Sequence, residues 1–510
     1  MRPGLELRQT HISWVFLSET DVWKVKKPVA LGFLDFATLQ KRLSACEAEV
    51  RLNRRLAPDV YRGVVSVRRA GDGQLQFGGE GELVDWAVHM RRLPDEDRAD
   101  NQLSAGHLTG EDIEAIAVRV ARFHEECQSD QKSSRFGAVD VIRKNVHENF
   151  EQVRATITDY VSPDQAREIE TWQEELLRDR EPTFEARVRQ GRIRDGHGDL
   201  RLEHVYLDRT GDVVIIDCIE FNERFRYGDV CADVVFLAMD LARAARVDLA
   251  ERLLALYARE ANDYDLYALV DFYESYRAFV RGKISAMMAS MRSVSFEARE
   301  HARGEARRYF LLALASERRP LLPPALIAVG GVIASGKSTI ASRLGAELAV
   351  PVVDADRTRK SLAGVGATSP VKEGPWRGVY SEEFGDRTYT ELLRRARCVL
   401  TTRRSVIVDA SFRASRHRDA VRSLAREIGI PFAFVECRAD AETCRERLRN
   451  RKRGVSDGRL EIFDDFVRTW EPVTELSAAE HIVVDTTFPI DQTMHVLRER
   501  LPVSFARITH

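Results

Sequence analysis

Long apolar runs are missing from this sequence: nowhere does it supply the roughly 18 uninterrupted apolar residues that a membrane-crossing helix needs. The opening MRPGLELRQTHISW has no apolar segment of the kind found in secretory leaders. Cysteine is sparse as well. The seven cysteines are odd in number, scattered, and form no C-x-x-C pair, which excludes a disulfide framework and a zinc knuckle and points to a reducing compartment. No single sign of charge dominates: 78 basic and 80 acidic residues leave a formal charge of -2. No overall field therefore draws the chain onto nucleic acid or anionic lipid. Internal repeats and low-complexity tracts are absent. The exclusions leave a cytoplasmic protein with small-molecule partners, no nucleic acid and no membrane; its oligomeric state is not legible.

What is present is enough apolar residue for more than one core. With 510 residues, 44% of them hydrophobic, two or three domains are expected. Pro320, Pro323 and Pro324 within ERRPLLPPA (317–325) block helix continuation after a long helical stretch and mark the boundary. Downstream, the apolar runs LIAVGGV (326–332), VPVVDA (350–355), SVIVDAS (405–411), PFAFVEC (431–437) and HIVVDT (481–486) alternate with amphipathic helical patterns. Continuous hydrophobicity implies strands buried on both faces, so residues 325–505 are predicted to form a doubly wound α/β domain with five parallel strands. Upstream, WVFL, VWKVKK, VVSVRR and VDWAVHM crowd the first ninety residues, and helical patterns dominate from about residue 105. Residues 1–318 are therefore predicted to be an α+β domain, with a β-rich small lobe over about 1–92 and a helical large lobe over about 93–318.

Gly331-Val-Ile-Ala-Ser-Gly-Lys337-Ser338 satisfies G-x-x-x-x-G-K-[ST], and it stands between an apolar strand and the helix opening KSTIASRL. Its glycines let the backbone curl so that the N–H groups of Gly331, Ala334, Ser335, Gly336 and Thr339 can face phosphate oxygens at a helix N-terminus. Lys337 would reach the β- and γ-phosphates, and the Ser338 hydroxyl would ligate Mg²⁺. Asp409 ends the strand SVIVD, where a carboxylate can meet the metal's water shell; a helix N-cap is the other reading. Asp356, with Arg359 a turn later, is placed to address an acceptor hydroxyl and an anionic group, or else to cap a helix. Arg447, Arg451 and Arg453 form a basic helix end that could close over phosphates or simply face solvent. GGVIASGKST, DADRTRK, SVIVDASF and the arginine-rich segment followed by SDG together resemble the P-loop kinases related to zeta toxins, gluconate kinase and chloramphenicol phosphotransferase. That resemblance implies that Asp356 is the base for the acceptor hydroxyl.

Residues 196–207 read GHGDLRLEHVYL, followed by a turn at RTGD (209–212) and the apolar run VVIIDCIEF. Two carboxylates at such positions, Asp199 and Asp217, match the arrangement in which one takes the hydroxyl proton and the other holds magnesium. The string resembles the H-G-D-x-x-x-x-N of the aminoglycoside phosphotransferase superfamily. The resemblance implies a protein-kinase-like bilobal fold, with Asp199 as catalytic base, His197 as a structural histidine and Asp217 as metal ligand. Here His204 replaces the asparagine. Imidazole ligates Mg²⁺ poorly and softer metals well, so Mn²⁺ use or a single metal ion is expected, unless His204 is a packing residue. In DVWKVKK (21–27), Lys24 is the preferred nucleotide lysine and Lys26, on the same face, the alternate. Glu49 is the preferred partner of that lysine and Glu47 the alternate. No glycine-rich loop precedes WVFL; Gln9 to Ser13 stands in its place, so phosphate capture is expected to rely on hydroxyls and backbone N–H groups.

THISWVFL, VWKVKKPV, GFLDF, RRLAPDVY, HGDLRLEH and IDCIEFNERFRYGDV resemble the bacterial group of bifunctional aminoglycoside phosphotransferase and ATP-binding proteins, over nearly the whole chain. The implied function is ATP-dependent phosphoryl transfer to a hydroxyl of a small-molecule acceptor, with two nucleotide sites. The alternatives are a nucleotide switch whose N-terminal domain is a degenerate ligand sensor, and toxin-like phosphorylation of a cell-wall precursor. Glu220, Glu223, Asp229 and Asp233 suit a polycationic acceptor. Arg277, Arg281 and Lys283 suit an anionic one, so the acceptor stays open.

Overall fold

The computed structural model describes residues 5–10, 12–31, 34–208, 211–292, 294–314, 320–367, 369, 377–450 and 460–503. By packing, the chain divides into two units, residues 1–245 with 272–315, and residues 246–271 with 316–510. The sequence boundary, 1–318 against 325–505, counts Arg246–Asp271 with the first domain. Their side chains are engaged in the second. Arg404 Nη2 lies 2.9 Å from Asp271 Oδ1 and Arg404 Nε 2.9 Å from Glu251 Oε2, while the Tyr264 hydroxyl donates to the Val352 carbonyl at 2.5 Å. Among the described residues no helix is long and apolar enough to cross a membrane.

The first unit opens with an antiparallel sheet. Its strands lie in the order Glu6–Gln9, Ser13–Leu17, Asp21–Lys26, Glu82–Arg91, Tyr61–Arg69, Leu75–Phe77. The four apolar segments read from the sequence are thus strands, and two short edge strands join them. Thr38 caps the helix Leu39–Asn53 by accepting from the Lys41 N–H at 3.3 Å. The buried pair of Arg42 Nε with Asp85 Oδ1, 2.8 Å, ties that helix to the sheet. Beyond this lobe helices dominate, as predicted. Val230–Arg243 is buried from Val230 to Leu241, and its N-cap, Asp229, pairs with Arg187 at 2.9 Å to Nε, both side chains 1% exposed.

The second unit holds five parallel strands in the order Val352–Asp354, Val406–Asp409, Leu326–Gly330, Phe432–Arg438, His481–Asp485. Each falls within or one residue from its sequence-read run, and every residue of Leu326–Gly330 and Val406–Asp409 is buried, as continuous hydrophobicity requires. Both Val329 and Asp354 align with Asp409, so the carboxyl ends of three adjacent strands come level at one edge. That edge is where an open α/β sheet binds its ligands.

Candidate functional site

In the first unit, strand pleating sends Lys24 and Lys26 to one face. They divide a single carboxylate. Lys24 Nζ lies 3.0 Å from Glu49 Oε1, and Lys26 takes Glu49 Oε2 and also Glu220. Lys24 reaches onward, 2.5 Å to Asp217 Oδ1. Its side chain is 15% exposed and that of Lys26 is 0% exposed, so Lys24 faces the cleft and Lys26 is internal. Glu47 points to solvent. Burial opposes the charge on Glu49, but the two ammonium groups outweigh it and hold the carboxyl below its usual range.

The H-G-D loop is held from behind by Asp233. Its Oδ2 accepts from the His197 N–H at 2.6 Å and its Oδ1 from the Gly198 N–H at 2.9 Å. A side chain at residue 198 is ruled out twice: φ is +86°, and a Cβ would sit 2.7 Å from the Phe225 carbonyl oxygen. His197 Nε2 lies 3.0 Å from the Ile216 carbonyl, which can only accept, so this nitrogen carries the proton; Nδ1 then accepts from the Asp199 N–H at 3.3 Å. Burial pushes the His197 imidazole down to about 4 and keeps it neutral. Burial would raise Asp199, but Arg201 above all, with His204 and Arg281 near it, brings it down to about 2.

Asp217 follows the hairpin Val205–Leu207/Val213–Ile215 and adopts φ +66°, a left-handed conformation uncommon outside glycine. The Tyr61 hydroxyl accepts its backbone N–H at 3.2 Å. His204 stands between the two aspartates: Nδ1 is 2.8 Å from the Asp199 carbonyl oxygen and Nε2 is 3.6 Å from Asp217 Oδ2. The carbonyl fixes the proton on Nδ1, so the Nε2 lone pair faces Asp217. His204 is a site residue as well as a buried one.

The turn before Ser13–Leu17 carries two hydroxyls: Thr10 Oγ1 accepts the Ser13 N–H at 3.0 Å, and the buried Ser13 Oγ has no hydrogen-bond partner among the described residues. The acids after Asp217 each have a partner: Glu220 serves Lys26, Asp229 serves Arg187, Asp233 serves the catalytic loop, and Glu223 pairs with Lys132 at 2.7 Å.

In the second unit Gly331 (φ +148°) begins the phosphate loop. A Cβ there would meet the Cys437 carbonyl oxygen at 2.5 Å. Ala334 (φ +63°) and Gly336 (φ +83°) continue the curl into the helix Lys337–Leu348. Arg447 braces the loop from outside: Nη1 donates to the Ala334 carbonyl at 3.2 Å and to Thr486 Oγ1 at 3.1 Å. Arg451, like Arg453 and the SDG segment, lies outside the described residues. A cavity of about 340 Å³ is lined by Gly336, Lys337, Ser338, Arg447, Thr486 and Phe488, among others. Thr486 and Phe488 were not read from the sequence; their only local mark is the strand HIVVD just before them.

Asp409 does not cap a helix, since Ala414 holds that position before Ser415–Ile428. It is buried, its Oδ1 has no protein hydrogen-bond partner, and Ser338 bonds its carboxyl. Burial, with Asp354 and Asp356 nearby, raises it to about 7 despite Lys337. Asp354, which the sequence reading passed over, is the residue that caps the next helix, its Oδ1 accepting the Arg357 N–H at 2.7 Å. Asp356 is left to pair with Arg359 at 2.9 Å. An orphaned carboxylate oxygen beside a serine hydroxyl fits Mg²⁺, and so do Asp217 and the open Nε2 of His204. Among the described residues no three His, Cys, Asp or Glu side chains group to hold a metal alone. Mg²⁺ characteristically takes one or two carboxylates and completes its shell with phosphate and water.

Residues 21–270 match the Phosphotransferase enzyme family, and residues 326–473 match an AAA domain family. An uncharacterized protein of Mycobacterium tuberculosis is 33% identical over 460 residues, covering 90% of this chain and 89% of the relative, and a Mycobacterium bovis protein matches equally. The chain belongs to this family of phosphotransferases joined to a P-loop kinase domain. Its enzymatic class is kinase. Among solved structures, a putative aminoglycoside phosphotransferase from Ralstonia eutropha is similar at 13% identity and TM-score 0.35, over 61% of this chain and 93% of that one. A gluconokinase from Sinorhizobium meliloti is similar at 19% identity and TM-score 0.27, over 37% of this chain and 95% of that one.

Proposed function

We propose that this phosphotransferase uses ATP with Mg²⁺ to phosphorylate a hydroxyl of a small-molecule acceptor, and that it binds nucleotide at both Lys24 and Lys337. The observation that carries the reading is the convergence of Lys24, Glu49, Asp217, and the pair Asp199 and His204 from four separate segments. Lys24, held by Glu49, orients the phosphates. The acceptor oxygen attacks the γ-phosphorus as the bond to the ADP oxygen breaks, and its proton passes to Asp199. A carboxyl held near 2 is a weak base, so Asp199 chiefly orients the hydroxyl and takes the proton late, as suits a loose phosphoryl-transfer transition state.

Mg²⁺, held by Asp217 with the His204 side in one unit and by Ser338 and Asp409 in the other, would neutralise the phosphate charge. Imidazole at residue 204 favours Mn²⁺ at the first site. In the second unit Asp356 is the base. The balanced charge and free cysteines support a cytoplasmic setting. The test is ATP binding by calorimetry and ADP release, over a sugar and nucleotide library, for Asp199→Ala, Lys337→Ala and the double variant. Two binding events in the native chain, turnover that requires an added acceptor, and no turnover in the double variant support the proposal. No nucleotide binding, or turnover indifferent to acceptor, sinks it.

A further inference from the structure

Two arginines act on the Asp199 carboxylate, Arg201 in direct contact and Arg281 through its charge, and phosphoryl transfer itself accounts for neither. Arg201 is ion-paired on both sides, with Nε 3.2 Å from Asp199 Oδ1, though without hydrogen-bond geometry, and Nη2 on Glu203. Arg281 is different. Its guanidinium lies over the Tyr309 ring, 5.7 Å from the centroid, and bonds the Tyr309 hydroxyl, while its buried Nε has no hydrogen-bond acceptor. A buried donor without an acceptor is costly, and a rigid surround keeps it so. The surround here is rigid. A Cβ on the adjacent Gly282 would come within 2.8 Å of the Phe310 ring, so the helix Tyr267–Ser290 is pressed against Phe296–Leu312. Tyr309 in turn donates to Asp240 Oδ1 at 3.4 Å, and Asp240 Oδ2 accepts the Leu202 N–H at 3.2 Å. Arg281 is thereby tied, through two side chains, to the loop that carries Asp199. It is near enough that its charge helps to hold the Asp199 carboxyl low.

The acids around it are spent. Asp240 serves the catalytic loop and Tyr309, and Glu220, Asp229 and Asp233 are committed inside the lobe. Arg243, the other arginine over Tyr309, is neutralised by Glu305 at 3.2 Å. Beyond Asp199 itself, a polycationic acceptor would meet a fixed cation here.

We infer that the acceptor is a small hydroxylated oxyanion, a carboxylate or a phosphate ester, whose anionic group is received by Arg281 while its hydroxyl faces Asp199. This rests on the proposed kinase activity for the hydroxyl, but the anion site can be tested apart from turnover.

Binding of gluconate, glucuronate and ribose 5-phosphate would be measured by calorimetry in the full chain with a non-hydrolysable ATP analogue. Lys337→Ala silences the other nucleotide site, and glucose, ribose and kanamycin serve as neutral and cationic controls. An anionic probe should bind where its neutral parent does not. Arg281→Gln should weaken it roughly tenfold or more, the loss expected for a hydrogen bond to a charged group, with nucleotide binding unchanged. Arg281→Lys should restore part of that binding, which a purely structural role would not predict. Carboxylate and phosphate probes separate the two anion types. If no anion binds, or if kanamycin binds and Arg281→Gln leaves it unaffected, the inference is overturned. If an anion binds through Arg281 but is never phosphorylated, the inference stands and the kinase reading of this site falls.

Discussion

His204 presents Nε2 to Asp217 at 3.6 Å while its Nδ1 donates to the backbone oxygen of Asp199 at 2.8 Å, so one imidazole joins the proton-accepting and metal-facing carboxylates. Its partner on Nδ1 decides the tautomer, and the tautomer decides that a lone pair faces the metal position.

His204→Asn should therefore move metal preference toward Mg²⁺. An amide oxygen is a hard ligand and imidazole nitrogen is softer, so the ratio of Mn²⁺- to Mg²⁺-supported turnover should fall by roughly tenfold, the scale on which substitutions around a metal act. Steady-state assays with each metal, in the Lys337→Ala background, check it. An unchanged ratio would mean that Nε2 meets no metal.

Lys24 and Lys26 share Glu49, yet their losses should differ in kind. Lys26→Met leaves Glu220 buried without its cation, at 5% side-chain exposure, and Glu49 with Lys24 alone, and should cost about 3–5 kcal/mol of stability. Lys24→Met, on the cleft side, should abolish nucleotide binding at the first site and cost less in a urea melt. Equal melts, or turnover lost only with Lys26, would reverse the assignment.

Gly331→Ala places a Cβ 2.5 Å from the Cys437 carbonyl oxygen, at a φ of +148°. The strain, about 1–3 kcal/mol, should appear as weaker ATP binding at the second site by roughly tenfold or more, with binding at Lys24 unchanged. Titration calorimetry in the Asp199→Ala chain resolves the two sites.

Stability of the first unit should fall as pH drops from about 6.5 toward 4. Burial depresses the folded His197 pKa from 6.5 to about 4. In that window the unfolded chain binds a proton that the folded chain does not, so stability rises with pH by at most about 1.4 kcal/mol per unit from this group. His197→Gln should flatten that slope in chemical denaturation at pH 4.5, 5.5 and 6.5. A slope unchanged by the substitution would place its origin elsewhere.

What the sequence alone determined was whatever lies within one contiguous stretch. The phosphate loop, the H-G-D string and the five buried strands are each specified by neighbours a few residues apart, through turn geometry and hydrophobic period. The same local physics put Lys24 and Lys26 on one face without choosing between them, because the choice belongs to Glu49, Asp217 and Glu220, the last two more than 190 residues away. Asp233 and Asp229 read as free acids until folding set His197, Gly198 and Arg187 against them. Asp354 and Asp356 occupy the same short motif, and only the Arg357 N–H and the level strand end at Asp409 separate cap from candidate base. Arg281 read as one of three bases suited to an anionic acceptor, beside Arg277 and Lys283; packing against Tyr309 buried its Nε and set it apart from them. Residue chemistry is written locally, but burial and partnership are fixed by segments distant in sequence, and these decide which charges remain free to act.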